Sequence, residues 1–275
     1  MDQIDVLDHG FVRLVSHMGS DSSIAEAARV SVKSNSNVKR STDRQLLRYM
    51  MSNSHSSPFE FAELVFHVKL PIFVARQWMR HRTWSYSEVS GRYSELSSET
   101  YTPDDAHVNL QSTSNKQGRG ELADGRVAEG FRNGCELTAR NAFRYYESNL
   151  SDGLAKELCR INLPLSTYTE FYCKVDLNNL FKFLKLRLDS HAQYEIRVYA
   201  EAIAKIVEEL FPISFEAFKD YQLDVEVLSQ GQIKYFRTMC RTFFTDESLL
   251  SWLRDQELFG MSKSEQDQVR RILGI

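Results

Sequence analysis

The chain is 275 residues long, 42% apolar and 12% aromatic, with a formal charge of −3, enough length and apolar content to bury a sizeable core. Such a charge excludes a general binder of polynucleotides or anionic membrane surfaces, because affinity for a phosphate backbone needs a broad basic excess. Local clusters of cations then point to a small anion.

Residues 1–5 are acidic, and no apolar run of signal or membrane length follows them, so the chain is expected in the cytoplasm. Residues 4–7 and 11–16 read as short strands joined by a hairpin turn at His9 and Gly10. Ser22 or Ser23 is placed to cap a helix over 24–30, with Glu26 as capping-box partner of Ser23. A polar loop over 34–39 leads to Ser41 or Thr42 and a second helix through Leu46, Leu47 and Met50. Leu64, Phe66, Val68 and Leu70 alternate with Val65, His67 and Lys69, which is strand periodicity, and Pro71 suits the first turn of the next helix.

From 97 to 125 the chain turns polar and reads as a mobile surface excursion. Val127, Phe131, Cys135, Ala139, Ala142, Tyr146 and Leu150 then recur at helical spacing. Thr167, Thr169, Phe171, Cys173 and Val175 alternate as a strand does, and Asp176 is placed to cap a helix from Leu177. Leu184, Leu188, Ala192, Ile196, Tyr199, Ile203, Ile206 and Leu210 make one long apolar stripe closed by Pro212. Strands flanking largely helical stretches predict an α+β fold of mixed helices and antiparallel strands, not a doubly wound one. Residues 1–221 form the expected main domain. Residues 222–275, with helical patches over 233–244, 247–253 and 264–273, form a C-terminal extension of unassigned role.

The four cysteines, Cys135, Cys159, Cys173 and Cys240, are widely spaced without a CxxC pair and are expected as free thiols. No zinc or other metal site is expected, since the histidines are scattered and form no HExxH. Chemistry concentrates at residues 80–92, where Arg80, His81, Arg82, Ser85, Ser87, Glu88, Ser90 and Arg92 follow a strongly apolar stem, Phe66, Val68, Leu70, Ile72, Val74, Trp78 and Met79. Guanidinium groups rooted at the edge of a core are held in place, and arginine captures phosphate or carboxylate bidentately; otherwise the cluster is a solvated face. Neither GxGxxG nor GxxxxGK[ST] is present. Gly118, Gly120 and Gly125 sit in the polar excursion with no strand expected before them. A dinucleotide would therefore be held by side chains, with Arg80, His81 and Arg82 facing its pyrophosphate.

Arg-His-Arg, seven residues, then Ser resembles the signature of the flavin-dependent thymidylate synthases. Matching blocks are His55-Ser56-Ser57-Pro58-Phe59-Glu60, the segment 71–78, residues 160–165, and Leu186-Arg187-Leu188-Asp189-Ser190-His191-Ala192-Gln193, within a similarity spanning about 4–220 that leaves the tail outside. The resemblance implies a non-Rossmann fold and reductive methylation of dUMP to dTMP, with methylenetetrahydrofolate as carbon donor, NADPH as reductant and FAD as carrier of the hydride. It also implies a homotetramer with shared active sites, acting on small molecules rather than nucleic acid or membrane.

By the same resemblance Arg187 polarises the pyrimidine, because a cation at O2 and N3 stabilises charge pushed into the ring; its plain alternative is a surface arginine paired with Asp189 or Asp220. Substrate is expected to meet Gln77, Arg80, Glu88, Val89, Ser90, Gly91, Arg92, Arg160 and Arg187. FAD is expected to meet His55, Ser57, Arg80, His81, Arg82, Glu88, Asp176, Asn178 and Lys182. Glu88 is otherwise a partner for a neighbouring arginine, and His191 is a ligand or a local hydrogen-bonding residue. The chain departs from the family at Phe61, where histidine is frequent, and at Asp176 and Lys182, where asparagine is usual. A carboxylate at 176 repels phosphate unless it caps the helix, whereas Lys182 attracts it. Two other classes, a nucleotide-binding regulatory protein and an RNA-binding module using arginine and aromatic stacking, differ by colour and by salt-dependent polynucleotide affinity.

Overall fold

The computed structural model describes residues 3–31, 41–245, 248, 251 and 263–273. The loop expected over 34–39 and most of the helical patch expected over 247–253 lie outside them. Two compact units are present, Met1–Leu223 and Asp224–Ile275.

The strands of the first unit are β1 (Ile4–Val6), β2 (Gly10–Met18), β3 (Glu63–Pro71), β4 (Ser85–Glu88), β5 (Asn109–Gln111), β6 (Arg119–Leu122) and β7 (Tyr168–Asp176). Its helices are α1 (Asp21–Arg29), α2 (Asp43–Ser52), α3 (Ile72–Trp78), α4 (Gly125–Ser151), α5 (Lys156–Cys159), α6 (Leu177–Arg187), α7 (Tyr194–Leu210) and α8 (Pro212–Phe218). Five strands form one antiparallel sheet in the order β1-β2-β3-β7-β4, while β5 and β6 pair separately.

The alternation read in β3 sets the core. Leu64, Phe66, Val68 and Leu70 are fully buried with Phe171, Cys173 and Val175 of β7, in one cluster with Leu180, Phe183 and Leu184 of α6 and Ile196, Tyr199 and Ile203 of α7. Each large apolar side chain so buried contributes about 1.5–3 kcal/mol, so this face anchors the sheet. Pro71 serves as the N-cap of α3 rather than a residue of its first turn. Asp176 caps α6 as expected, its side chain accepting from the Asn179 N–H at 2.9 Å.

Several local expectations change. The first hairpin turns at residues 7–9, with Leu7 at φ 59°, and Gly10 already opens β2. A Cβ there would lie 1.9 Å from the Tyr199 hydroxyl, so glycine is required for close packing. The N-cap of α1 is Ser20, in a reciprocal capping box with Ser23. This places Asp21 in the first turn, where it accepts from Ile213 N at 2.8 Å, Ser214 N at 3.0 Å and Ser214 Oγ at 2.6 Å, satisfying the start of α8. For α2 the cap is Thr42, with Gln45 completing the box.

The long stripe is broken into α6 and α7. Asp189 Oδ1 accepts from the His191 backbone N–H at 2.7 Å, and Ala192 N donates to Asp189 O at 2.9 Å, so an Asx turn competes with the helix. The polar excursion contains the β5–β6 hairpin, pinned by buried Tyr101 and Val108; Gly118 and Gly120 belong to it. Along α4, Ala139 and Tyr146 are buried as expected, but Val127 is 55% and Phe131 52% exposed. These two and Cys135 line an open apolar cleft with Phe73 and Tyr101, because only the later turns of α4 join the small core of Phe143, Tyr146 and Cys159.

In the second unit, α9 (Gln230–Phe243) is capped by Ser229 with a capping box to Gln232, and α10 (Lys263–Leu273) follows. The Arg237 guanidinium donates to the carbonyls of Arg271 and Ile272, tying the two helices. No helix among the described residues is long and apolar enough to cross a membrane.

Candidate active site

The cationic loop hangs between two buried tryptophans. Trp78 ends α3 and packs edge-on against Trp84 with ring centroids 5.6 Å apart, and both rings contact Phe183 of α6. His81 N donates to Trp78 O at 3.0 Å, closing a turn. Tyr86 on β4 donates its hydroxyl to the carbonyls of His81, at 3.1 Å, and Trp78, at 3.3 Å. Burial pushes the Tyr86 hydroxyl well above its ordinary pKa, so it stays a donor. Arg80 and Arg82 are thus carried on an anchored loop, exposed, and neither forms an ion pair or hydrogen bond among the described residues.

Arg187, in the last turn of α6, closes over this loop. Its Nε–H donates to His81 Nε2 at 3.1 Å, and Nη2 donates to the Gln77 carbonyl at 3.2 Å. Both acceptors are neutral. Neither acidic candidate pairs with it: Asp220 takes Arg48 at 2.6 Å and Asp189 takes His191 at 2.9 Å. Burial lowers the pKa of the Arg187 guanidinium, and burial followed by the Arg187 charge lowers that of His81 to about 4. A half-buried cation without a carboxylate is a cost that an incoming anion or polarisable carbonyl relieves.

A second group forms at the end of β4. Glu88 accepts from the Thr169 hydroxyl at 2.7 Å rather than pairing with an arginine, and Val89 N donates to Glu170 O at 2.9 Å. Beyond them Arg92 N donates to Ser90 Oγ at 3.3 Å, and Arg92 Nε pairs with Glu157 at 3.0 Å. Gly91 is buried against Arg160, since a Cβ on it would sit 3.0 Å from Arg160 Cδ. Residues 88–92 and Arg160, distant in sequence, are therefore neighbours, and the Arg160 side chain forms no ion pair or hydrogen bond among the described residues.

The third group lines a cleft of about 420 Å³ that includes Ser54, His55, Asn178, Phe181, Lys182 and Lys185. A Schellman motif ends α2 there: His55 N donates to Met50 O at 2.9 Å and Ser54 N to Met51 O at 3.1 Å, with Ser54 at φ 58° where glycine is usual. That turn presents the histidine. Ser57 opens the following 3-10 helix and does not line the cleft. Nor does Asp176, whose carboxylate oxygens are taken by Asn179 N and, at 2.6 Å, Asn179 Nδ2. Asn178 donates to Glu60 at 3.3 Å and Lys182 to Asn179 Oδ1 at 3.2 Å. Phe61 is 63% exposed.

Sequence reading missed Lys185, Thr169, Tyr101, Arg119 and Glu195. Thr169 shows only in the alternation of β7, and Glu195 only as a charge beside the apolar stripe at Ile196, where it is 2% exposed.

The model of the family described as thymidylate synthase complementing protein matches residues 13–213, across all of these groups. The chain belongs to this family, that of the flavin-dependent thymidylate synthases. The flavin-dependent thymidylate synthase of Wolbachia pipientis wMel is 47% identical over 236 residues, 86% of this chain and 83% of the relative. That of Ruegeria pomeroyi is 44% identical over 273 residues, 98% of this chain and 87% of the relative. The second alignment reaches into the tail, beyond the span of about 4–220 that carries the resemblance. Among solved structures, a UMP/dUMP methylase PolB from Streptomyces cacaoi bound with 5-Br UMP superimposes with TM-score 0.72 at 33% identity, covering 80% of this chain and 98% of that one. The α+β, non-Rossmann architecture is thus the family's.

Proposed function

We propose that the chain catalyses reductive methylation of dUMP to dTMP, with methylenetetrahydrofolate as carbon donor and NADPH as reductant, and that Arg187 is its catalytic residue. The observation that carries this reading is the half-buried Arg187 guanidinium held by neutral His81 and the Gln77 main-chain carbonyl, with no carboxylate on it among the described residues. Such a cation suits the O2 and N3 edge of uracil, where negative charge develops as C5 becomes nucleophilic. Arg160, set against Gly91, and Arg92 hold the phosphate; Ser90 donates a hydrogen bond, and the backbone of Val89 and Gly91 closes on the nucleotide.

The residues present fit a flavin dinucleotide. Arg80 and Arg82, unpartnered among the described residues, suit a pyrophosphate without a glycine-rich turn, and the cleft of His55, Asn178, Lys182 and Lys185 offers donors beside the Phe59 and Phe181 rings. When bound, the flavin supplies two-electron reduction. Ser57, His81 and Glu88 complete the expected flavin surroundings, while Asp176 serves them through its cap on α6.

Residues of the site come from four separate segments, 55–57, 77–92, 160 and 176–187, and apolar side chains such as Phe61, Val127, Phe131 and Leu137 are exposed. A homotetramer sharing its sites between protomers would join the first and cover the second. We place the enzyme in the cytoplasm and residues 222–275 outside the catalytic domain. Purified protein should be yellow, lose its visible absorbance on adding NADPH, and form dTMP only when both dUMP and methylenetetrahydrofolate are present. A colourless protein that forms no dTMP would overturn the reading.

A further inference from the structure

Glu195, in the first turn of α7, receives donors from three other positions. Tyr101 donates to Oε1 at 3.0 Å, Arg119 of β6 reaches the same oxygen, and Gln193 Nε2 donates to Oε2 at 2.8 Å. Gln193 in turn accepts at Oε1 from Gln77 Nε2, and the Gln77 carbonyl holds Arg187. A chain of side chains therefore runs from a buried carboxylate to the side chain of Gln77, the residue whose main-chain carbonyl accepts from Arg187.

The direction of this chain is dictated by chemistry. Burial alone would raise the Glu195 pKa, but the hydrogen bonds of Arg119 and Gln193 and the Arg119 charge outweigh it and hold the carboxyl below its ordinary value. An ionised carboxylate only accepts. Gln193 must therefore turn its amide nitrogen to Glu195 and its carbonyl to Gln77, and Gln77 must answer with its own nitrogen. The remaining end is Gln77 Oε1, which has no partner among the described residues.

We propose that Glu195 is a positioning residue that fixes the polarity of the Gln193–Gln77 relay, so that Gln77 Oε1 is held as a hydrogen-bond acceptor for a hydroxyl or ring N–H of the nucleotide. The proposal rests on the substrate reading above and deepens it at one residue: the free end of Gln77 suits a donor on the sugar or base, not a phosphate oxygen. An amide at 195 would set a second donor against Gln193 and turn the relay over.

The test is a double-mutant cycle on the full-length flavin-loaded enzyme, using Glu195→Gln, Gln77→Leu and the pair, read by dUMP dissociation constant and by KM and kcat for dUMP. Glu195→Gln should raise the dUMP dissociation constant and KM about tenfold, with kcat and flavin content changed far less. In the Gln77→Leu background the same substitution should change them less than about twofold, because coupled residues are non-additive. Should Glu195→Gln fail to fold, Gln193→Leu, at an exposed position, takes its place with the same expected coupling. Equal effects in both backgrounds, or no effect on dUMP in either, would overturn the relay. A wild-type protein that binds dUMP but forms no dTMP sinks the functional reading instead, and the binding cycle still decides the relay.

Discussion

Arg187 Nε–H donates to Nε2 of His81 at 3.1 Å, which requires His81 to present a lone pair there and so to be neutral. Burial and then the Arg187 charge lower its pKa from an ordinary 6.5 to about 4. Between those values the unfolded chain binds a proton that the folded chain refuses. Stability is therefore lost as pH falls from about 6.5 toward 4, and does not change with this group above that window. An NMR titration of the His81 ring should show a midpoint near 4, whereas a midpoint near 6.5 would mean that the imidazole does not support Arg187.

Gly91 brings the turn proposed to face the nucleotide against Arg160. In Gly91→Ala the new Cβ would stand 3.0 Å from Arg160 Cδ and 3.1 Å from Leu96 Cδ1, and both neighbours are side chains able to yield. Folding should survive, while displacement of Arg160 should raise the KM for dUMP about tenfold. Steady-state kinetics beside a thermal melt separates these effects, and an unchanged KM would show that Arg160 does not hold the phosphate.

At Gly10 the obstruction is backbone as well as side chain. A Cβ would meet the Tyr199 hydroxyl at 1.9 Å, Val6 O at 2.7 Å and Lys69 O at 2.8 Å, and Tyr199 is fully buried while donating to Lys69 O at 2.7 Å. Gly10→Ala should destabilise the fold by about 3 kcal/mol in urea unfolding. A loss below about 1 kcal/mol would show that the β1–β2 turn shifts freely.

Ser54 holds φ 58° at the Schellman turn before His55. A side chain in the left-handed region costs roughly 1–2 kcal/mol, partly offset by the extra freedom glycine loses on folding. Ser54→Gly should stabilise the protein by about 0.5–1 kcal/mol, measured by denaturant midpoint at constant m-value. Destabilisation would show that the serine contributes something the hydrogen bonds of this turn do not account for.

Periodicity made the sheet legible: β3 and β7 bury the residues whose alternation announced them, and Asp176 caps α6 where its place before Leu177 put it. Locally ambiguous hydroxyls were less informative. Three serines lie within residues 20–23, and Ser20 takes the cap because that choice sends Asp21 to the start of α8, a contact nearly two hundred residues away. The break between α6 and α7 was hidden for a similar reason, since Leu188 and Ala192 continue the apolar spacing while Asp189 closes a turn on its own backbone. In the site, the arginine-rich loop stood out by residue type, and Arg187 through the family resemblance of residues 186–193. Glu195, Arg119 and Tyr101 did not, because residues from unrelated segments acquire meaning only when folding brings Tyr101 and Arg119 onto the buried Glu195 carboxylate.

The central claim is that a guanidinium held by neutral partners acts on the uracil ring, and Arg187→Ala tests it most directly. With NADPH, methylenetetrahydrofolate and saturating dUMP, dTMP formed per unit time should fall about a hundredfold or more, while the flavin absorbance of the purified variant and its thermal midpoint stay close to wild type. Turnover within about twofold of wild type would contradict the account.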